Sequence, residues 1–408
     1  MFDFITFIPR AVMQGIPLLL GSTGETLTEK SGNLNLGIPG IMYVGGICGV
    51  IGAFFYEAGK TAQEMNTFLA ILIPMLCCLA GSLLMGLLYC FLTVTLRANQ
   101  NVTGLALTTF GVGFGNFFGG SLIKLSGSEL PSIILTNTSN IFRRHLAAGN
   151  STGVFGKLFL SYGFLAYVAV ILALVISYIL KRTRTGLHLR AVGESPNTAD
   201  AAGINVSRQK YAATCIGSMI AGLGGLYYVM DYASGMWTNT AFGDRGWLAI
   251  ALVIFTIWRP NVGVLASFLF GGLYILHMYI PSGMNLAVKE LYKMAPYVVT
   301  IIVLILTSMR NKRENQPPAS LGLPYFREER EKSYRIKQQG VPLTGTPCCF
   351  TFFSRGRPDV RDREDFRTHQ IPETVFVQND RLKFLTAGEG EHIGETVGPA
   401  HEDARRIA

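Results

Sequence analysis

Long apolar stretches alternate with short polar segments over residues 5–309. One of them, residues 158–180, contains no Asp, Glu, Lys or Arg, and about 20 such residues are enough to cross a bilayer as a helix. By this criterion the candidate spans are residues 5–27, 34–56, 68–95, 101–121, 158–180, 210–230, 246–258, 262–281 and 296–309. The fourth is rich in glycine and the seventh is short, which is typical of broken or re-entrant segments. The pattern predicts an all-α integral membrane protein, a polytopic bundle of about nine (eight to ten) transmembrane helices.

Composition agrees with this prediction. The chain is 49% hydrophobic and 15% charged, whereas about a quarter of the residues in a soluble domain are charged. It contains 46 glycines, and small residues let membrane helices approach closely. In the sixth span Gly217, Ala221 and Gly225 recur every four residues. This spacing predicts a tightly packed helix face.

The basic residues predict an orientation, because cytoplasmic loops are enriched in Lys and Arg. The densest group beside a span comprises Lys181, Arg182, Arg184, Arg190, Arg208 and Lys210, so we expect that loop to be cytoplasmic. Counting spans then places Lys30, Arg97 and Arg259 on the same side and the N-terminus outside. Arg143, Arg144 and Lys157 fall on the outer side. Topology in the lipid bilayer explains the basic residues beside the spans and therefore the basic pI of 9.2. No basic patch interleaved with aromatic residues remains that would need a nucleic-acid partner.

Three charged residues lie close to the ends of spans. Arg245 follows an outer loop, and we expect it to snorkel or cap there rather than to bind a ligand. Glu25 and Glu29 lie near the inner end of the first span. We expect them to have an interfacial role, pairing with Lys30 or the basic loop.

The composition changes abruptly near Arg310. Mixed charges and few aliphatic residues follow, without a sustained period, which is typical of disorder. The sequence therefore predicts a transmembrane domain over 1–309 and a polar, disordered cytoplasmic tail over 310–408. We expect that removing Lys332–Ala408 leaves transport intact.

The basic loop contains the boundary signals of a short helix. Ser195 can cap it, Pro196 suits its first position, and Gly203 suits a left-handed stop. The residues between them are small or polar and too few for a stable isolated helix. Such an element can lie in a groove of a partner protein, or it can be a mere connecting loop. The spacing alone leaves both interpretations open.

Polar residues in the fourth span are candidates for the lining of a pathway, since interrupted helices are tolerated at membrane depth where they border a cavity or are buried in protein. The candidates are Asn99, Asn101, Thr103, Thr108, Thr109 and Asn116. Helix packing explains the threonines equally well.

The sequence contains no signal of catalysis. The only Gly-Lys-Thr, at Gly59, has Phe54 where a phosphate-binding loop needs its first glycine, so we expect no ATP hydrolysis by this chain. We also predict no catalytic residues, no metal site and no cofactor. A membrane enzyme would need clustered histidines or carboxylates. An ion-coupled secondary transporter, the main alternative, would need Asp, Glu or His inside the spans.

Several segments resemble one family in the order in which the family has them. They are TEKSGNLNLG from Thr28, RANQNVTGLAL from Arg97, RAVGESPNTADAAGIN from Arg190, DRGWLAIALVIFTIWRP from Asp244, and LGLPYF. They are similar to permease subunits of binding-protein-dependent ABC importers of the branched-chain amino acid, simple sugar and nucleoside group. The residues of these segments most resemble those of the nucleoside and simple-sugar branch. Pro39 departs from the family, which commonly has a Glu there, and suggests a bent or broken entrance to the second span.

The resemblance implies a bacterial cell membrane location and import of a small polar solute, with a nucleoside or simple sugar favoured. It implies three kinds of partner: ABC ATPase subunits that hydrolyse ATP, an extracytoplasmic solute-binding protein, and a second permease subunit in a homo- or heterodimer. It also identifies the short helix as the coupling element that contacts the ATPase. The coupling residues are Glu194, Ser195, Pro196, Thr198, Asp200, Ala201, Ala202 and Gly203.

Overall fold

The apolar stretches form helices in the computed structural model, which describes residues 4–126, 132–144, 153–239, 242–279, 286–310 and 316–326. In chain order the elements are α1 (Phe4–Glu29), α2 (Ile38–Glu57), α3 (Thr67–Cys90), α4 (Gln100–Ser126), β1 (Ile133–Ile134), α5 (Thr136–Phe142), α6 (Gly153–Phe159), α7 (Phe164–Arg182), α8 (Arg184–Glu194), α9 (Pro196–Ala201), α10 (Val206–Tyr227), β2 (Met236–Trp237), α11 (Arg245–Phe255), α12 (Pro260–Ile275), α13 (Leu286–Lys293) and α14 (Ala295–Arg310). Single π-helical turns extend α3 to Thr95 and α10 to Tyr232.

Six helices of the described chain are long and apolar enough to cross a membrane. They are α1, α2, α3, α4, α7 and α10. For α3 and α10 the span includes the π-helical turn. Shorter apolar helices occur at 245–255, 260–275 and 295–305. Large apolar side chains face outward, among them Phe68 (67% exposed), Leu84 (67%) and Leu265 (76%). The protein is a helical membrane bundle, and the number of complete spans remains a prediction.

Glycines bring the central helices close together. A side chain at Gly217 of α10 would meet Thr28 Oγ1 of α1 at 2.5 Å, and one at Gly225 would meet the main-chain nitrogen of Gly46 in α2 at 2.9 Å. Only a residue without a Cβ fits at such crossings. The packed face predicted for the sixth span is confirmed. As a result α10 lies between α1 and α2, and α4 packs on the far side of α2.

Pro39 lies in the first turn of α2, whose N-cap is Gly37. Proline suits this position because the helix has no acceptor for that N–H. Residues 30–37 form an irregular turn before α2. The bent entrance that Pro39 suggests is therefore the start of a helix. Beside it, Gly246 of α11 packs so closely that a side chain there would meet Pro39 Cβ at 2.5 Å.

Basic residues collect at one end of the bundle, which we call the basic end. Arg190 and Arg259 both act electrostatically on Lys30, and the Arg97 guanidinium lies 4.7 Å from the ring of Phe326. Arg10 and Arg143 instead border a separate cavity of about 330 Å³. The sequence likewise predicts Lys30, Arg97 and Arg259 on one side of the membrane and Arg143 on the other.

Candidate functional site

The predicted short helix is present at the basic end as α9. Ser195 precedes it and its side chain accepts a hydrogen bond from the N–H of Thr198 at 3.4 Å. At the other end Gly203 has φ of +83°. The N–H of Gly203 donates to the C=O of Asp200 and that of Ile204 to the C=O of Ala199, both at 3.0 Å. This double hydrogen bond at a left-handed glycine is a Schellman stop, so the cap signals in the sequence define both ends of α9.

The two sides of α9 differ in exposure. Ala199 is 3% exposed and packs with Val192 of α8 and Val206 of α10. Ala201, Ala202 and Gly203 are exposed. A surface of small side chains lets a partner approach the backbone closely, whereas the buried side fixes the helix to the bundle. The other residues of the predicted coupling element are all at least partly accessible: Glu194, Ser195, Pro196, Thr198 and Asp200.

Residues 316–326, which belong to the predicted tail, pack against this element. Ser320 is 6% exposed; its N–H and its hydroxyl both donate to the C=O of Gly193, at 3.0 and 2.5 Å. Tyr325 packs with the apolar side of α9. We call residues 316–326 the strap. The expectation of disorder does not hold for it, because Ser320 and Gly322 donate hydrogen bonds to the backbone of Gly193 and Gly32 without forming a periodic element. Residues 327–408 lie outside the described residues.

The signature segment, residues 28–37, forms a buried polar cluster beside the strap. The N–H of Asn35 donates to Glu25 at 3.0 Å, and the N–H of Leu34 donates to Gln100 of α4 at 2.7 Å. The Asn33 amide donates to Thr214 of α10 at 3.2 Å. Gly32 accepts from the N–H of Gly322 in the strap at 3.3 Å. One short segment therefore joins α1, α4, α10 and the strap.

The two glutamates of α1 are buried in this cluster, at 0% exposure for Glu25 and 3% for Glu29. Trp258 donates its indole N–H to Glu29, and Lys30 lies 5.8 Å from the centroid of the same ring. Neither carboxylate forms a direct ion pair with a described residue, and Lys30 acts on Glu29 through electrostatic attraction alone. Burial lowers the pKa of Lys30, while Glu194 acts to raise it. The partner of Glu29 comes from a distant turn of the chain, which periodicity does not reveal.

The six pathway candidates of the fourth span occupy different surroundings. Asn99 caps α4, since its side chain accepts from the N–H groups of Asn101 and Val102 at 3.0 and 3.2 Å. Thr103 and Thr108 are 8% and 9% exposed, and Thr108 donates to the C=O of Leu36 at 2.8 Å. The helix thus uses these polar residues for capping and packing.

The remaining candidates border the outward side of α4. Asn101 and Thr109 are exposed and Asn116 is half-buried. The buried side of the helix is glycine-rich, with Gly104, Gly111, Gly115 and Gly119 against neighbouring elements. The same face also carries exposed apolar side chains, among them Phe110 (53%) and Phe117 (68%), and polar groups on an open face can border a hydrophilic pathway.

Arg245 lies deep in the bundle. Trp258 contacts Glu29 at one end of α1, and a side chain at Gly21 would meet Ala249 Cβ at 2.8 Å. Since α11 has 11 residues, it is about 16 Å long and starts alongside the middle of α1. The expectation that Arg245 snorkels at an outer loop is wrong.

Arg245 is 6% exposed and is held among aromatic rings. Its guanidinium lies 4.4 Å from the centroid of Tyr228, 5.4 Å from Tyr232 and 5.0 Å from Tyr274. It also donates to the C=O of Phe242 at 2.9 Å. Cation–π contacts of this kind stabilise a buried guanidinium. The three tyrosines come from two elements, so single-sequence patterns give no signal for them.

Comparison with known proteins places the chain among transport subunits. Residues 7–305 match the family of the branched-chain amino acid transport system permease component. The match extends from α1 into α14 and so includes α4, α9, α11 and the signature segment.

Individual relatives cover much of the chain. A guanosine ABC transporter permease of Bacillus subtilis is 29% identical, over 79% of this chain and 97% of the relative. A nucleoside ABC transporter permease of Lactococcus lactis is 30% identical, over 73% and 91%. A putative glucose ABC transporter permease of Haloferax volcanii is 32% identical, over 64% and 73%.

Proposed function

The chain belongs to the family of branched-chain amino acid transport permease components, and from that premise we propose that it forms half of a nucleoside import pathway. It is a multi-pass protein of the cell membrane and a permease subunit of an ABC importer. We choose a nucleoside because the match extends over a larger fraction of the nucleoside relatives than of the sugar relative. The guanosine and nucleoside relatives are matched over 97% and 91% of their lengths, and the putative glucose relative over 73%. A simple sugar is the second candidate.

Separate ATPase subunits supply the energy, and α9 is their docking element. The exposed Ala201, Ala202 and Gly203 support this role, since they leave the backbone of α9 accessible to a groove in a partner. The buried Ala199 and the strap hold the other side of the helix. A displacement of α9 by the ATPase therefore reaches the signature segment through Gly193, whose backbone packs against that of Lys30.

The open face of α4 borders the pathway, which a second permease subunit completes as a copy of this chain or a paralogue. Asn101, Thr109 and Asn116 supply its polar groups. A solute-binding protein delivers the solute from the opposite end. An orientation with the basic end in the cytoplasm follows the distribution of Lys and Arg.

Orientation is tested with a single cysteine at Asn197, which is exposed on α9, in a variant free of the 7 native cysteines. A membrane-impermeant maleimide should label it only after permeabilisation. Labelling in intact cells would show that α9 faces outward and would remove the docking role.

The function is tested by deleting the gene in its native strain. Uptake of radiolabelled guanosine or adenosine should fall to background, with glucose and ribose uptake unchanged. In right-side-out vesicles supplied with the binding protein, uptake should require ATP inside the vesicle and be inhibited by vanadate loaded with it. Uptake that is insensitive to vanadate but abolished by an ionophore would support the ion-coupled alternative. Loss of sugar uptake alone would establish the second candidate.

A further inference from the structure

The turn between α11 and α12 is a helix stop built from unusual residues. The N–H of Trp258 donates to the C=O of Val253 at 3.2 Å, and Ile257 and Trp258 have φ of +55° and +52°. The left-handed residue of such a stop is usually glycine, as Gly203 is at the end of α9. A β-branched residue is an outlier in this region, and its conformation costs free energy. We call Ile257 and Trp258 the strained turn.

Two contacts from the end of α1 hold the strained turn. Trp258 is 7% exposed and donates its indole N–H to the buried carboxylate of Glu29. The Lys30 ammonium lies over the same ring, 5.8 Å from its centroid. Loss of a hydrogen bond between buried groups is costly, and a cation over an indole adds to the attraction. The conformation of the turn therefore depends on where the end of α1 lies.

The end of α1 also touches the segment in front of α9. A side chain at Gly193 would collide with the C=O of Lys30 and would meet the main-chain nitrogen of Gly32 at 3.4 Å. Gly193 lies in the last turn of α8, and Ser195 then caps α9. A displacement of α9 therefore reaches Lys30 and the neighbouring Glu29, the two residues that hold Trp258.

On its other side the strained turn fixes the end of α11. This helix begins at Arg245 and has 11 residues, so it is about 16 Å long. It is packed against two helices, because a side chain at Gly246 would meet Pro39 Cβ of α2 at 2.5 Å and one at Gly21 of α1 would meet Ala249 Cβ at 2.8 Å. A short helix packed in this way moves as a unit, so a change at the strained turn moves Arg245.

We propose that the strained turn is a conformational latch, which Trp258 closes on Glu29 and which a displacement of α9 opens. While the latch is closed, the contacts of Trp258 offset the cost of the left-handed backbone. When the end of α1 shifts, the indole N–H loses its acceptor, the turn relaxes, and α11 moves with Arg245. Packed elements with two arrangements can turn a small shift into a larger one. Trp258 is a positioning residue for coupling, and this role rests on the proposed docking of the ATPase at α9.

The first test relieves the strain. Ile257→Gly should stabilise the closed latch, so that ATP hydrolysis and guanosine import by the complex in proteoliposomes both fall about fivefold or more at unchanged abundance. If the turn only supported the fold, glycine would leave turnover unchanged. Ser234→Gly is the matched control, because Ser234 also has a positive φ, +56°, but is exposed after α10. It should keep wild-type turnover.

The second test removes the hydrogen bond. Trp258→Phe keeps a ring without the N–H, and Glu29→Leu lacks the acceptor. Both should open the latch independently of α9, so the amount of ATP hydrolysed per guanosine imported should rise severalfold. Glu29→Gln keeps an acceptor oxygen and should keep the wild-type ratio. Trp247→Phe should keep it as well, because Trp247 is 38% exposed on α11 and lies outside the latch.

The third test follows Trp258 in protein of wild-type sequence. The permease is labelled with 5-fluorotryptophan and reconstituted with its unlabelled ATPase. The chain has three tryptophans, so the ¹⁹F resonance that remains in both Trp237→Phe and Trp247→Phe belongs to Trp258. This resonance should shift between the nucleotide-free and the vanadate-trapped complex, because the indole N–H leaves Glu29. In Glu29→Leu it should lie at the trapped position without nucleotide.

The outcomes separate the latch from the proposed function. If wild-type import of guanosine requires ATP but Ile257→Gly and Trp258→Phe keep wild-type turnover and coupling, the latch is wrong and the proposed function stands. An unshifted Trp258 resonance in the trapped complex has the same meaning, and it decides where a variant loses abundance. If import does not require ATP, the proposed function is wrong and the latch falls with it.

Discussion

The basic end and the open face of α4 treat polar residues in opposite ways. At the basic end, Glu25, Asn33 and Asn35 are fully buried, and each forms a hydrogen bond while one of its side-chain polar atoms has no partner among the described residues. On α4, Asn116 and Thr109 are accessible and bonded incompletely or within their own helix. A buried cluster that joins several helices can pass a displacement from one to the next, whereas polar groups on an accessible face can exchange water for a passing solute. Under the proposed function, ATPase coupling belongs to the buried basic end and passage of the solute to the accessible face of α4.

Glycine substitutions should give the largest difference between the two regions. Gly217→Val places a branched side chain against Thr28 Oγ1, 2.5 Å from the new Cβ, and against the backbone of α1. Overpacking costs about 1–3 kcal/mol or more, so membrane abundance should fall about tenfold. Gly113→Val is the matched change on α4, where the new side chain meets nothing within 4 Å. It should keep normal abundance on immunoblots and lose guanosine uptake, because it adds bulk to the open face of α4 that borders the proposed pathway.

Normal abundance of Gly217→Val would show that α1 and α10 can separate. Reduced abundance of Gly113→Val would show that the open face of α4 is buried in the assembly.

The coupling element gives the second prediction. Ala201→Trp adds a large ring to the exposed side of α9 and should weaken ATPase docking about five- to more than a hundredfold. Gly203→Val acts through the backbone, since φ is +83° and a β-branched residue resists that conformation. Both should insert normally and bind solute-loaded binding protein, but recover little ATPase on pulldown and import little guanosine.

A control for backbone strain is available at the turn after α2. Gly59 has φ of +72° and, like Gly203, open space around it, so Gly59→Val introduces the same strain away from α9. It should leave ATPase recovery unchanged. Wild-type uptake by Ala201→Trp with the ATPase still bound would refute the assignment of α9 as the coupling element.

Local signals in the sequence account for the features that were predicted correctly. Ser195, Pro196 and Gly203 define α9 because caps depend on neighbouring residues, and the glycine repeat of α10 predicts its packed face. The environment of Arg245 and the bond between Trp258 and Glu29 depend on distant segments, and no pattern in a single sequence pairs them. The shortness of the seventh span is the one signal that could have located Arg245, since an 11-residue helix cannot carry its first residue to the far surface.

The strap gives the third prediction. A chain ending after Phe326 should transport normally, in agreement with the expectation for removal of Lys332–Ala408. A chain ending before Gln316 also loses Ser320 and Tyr325, which cover the buried side of α9. Its ATPase recovery should fall severalfold at unchanged abundance. Equal recovery from the two truncated chains would show that α9 is positioned by α8 and α10 alone.

A single hydroxyl should produce the smallest effect and compares the two regions directly. Ser320→Ala removes the hydrogen bond from Ser320 Oγ to the C=O of Gly193 but leaves the main-chain bond from its N–H at 3.0 Å. A neutral hydrogen bond contributes about 0.5–1.5 kcal/mol, so ATPase affinity in a titrated pulldown should fall about two- to tenfold. Ser121→Ala is the matched change on α4, where the hydroxyl is exposed and bonds to Phe117 of its own helix at 2.8 Å. It should change affinity by less than about twofold, because water replaces that bond. An equal effect of the two substitutions would show that the basic end is no more tightly bonded than the open face.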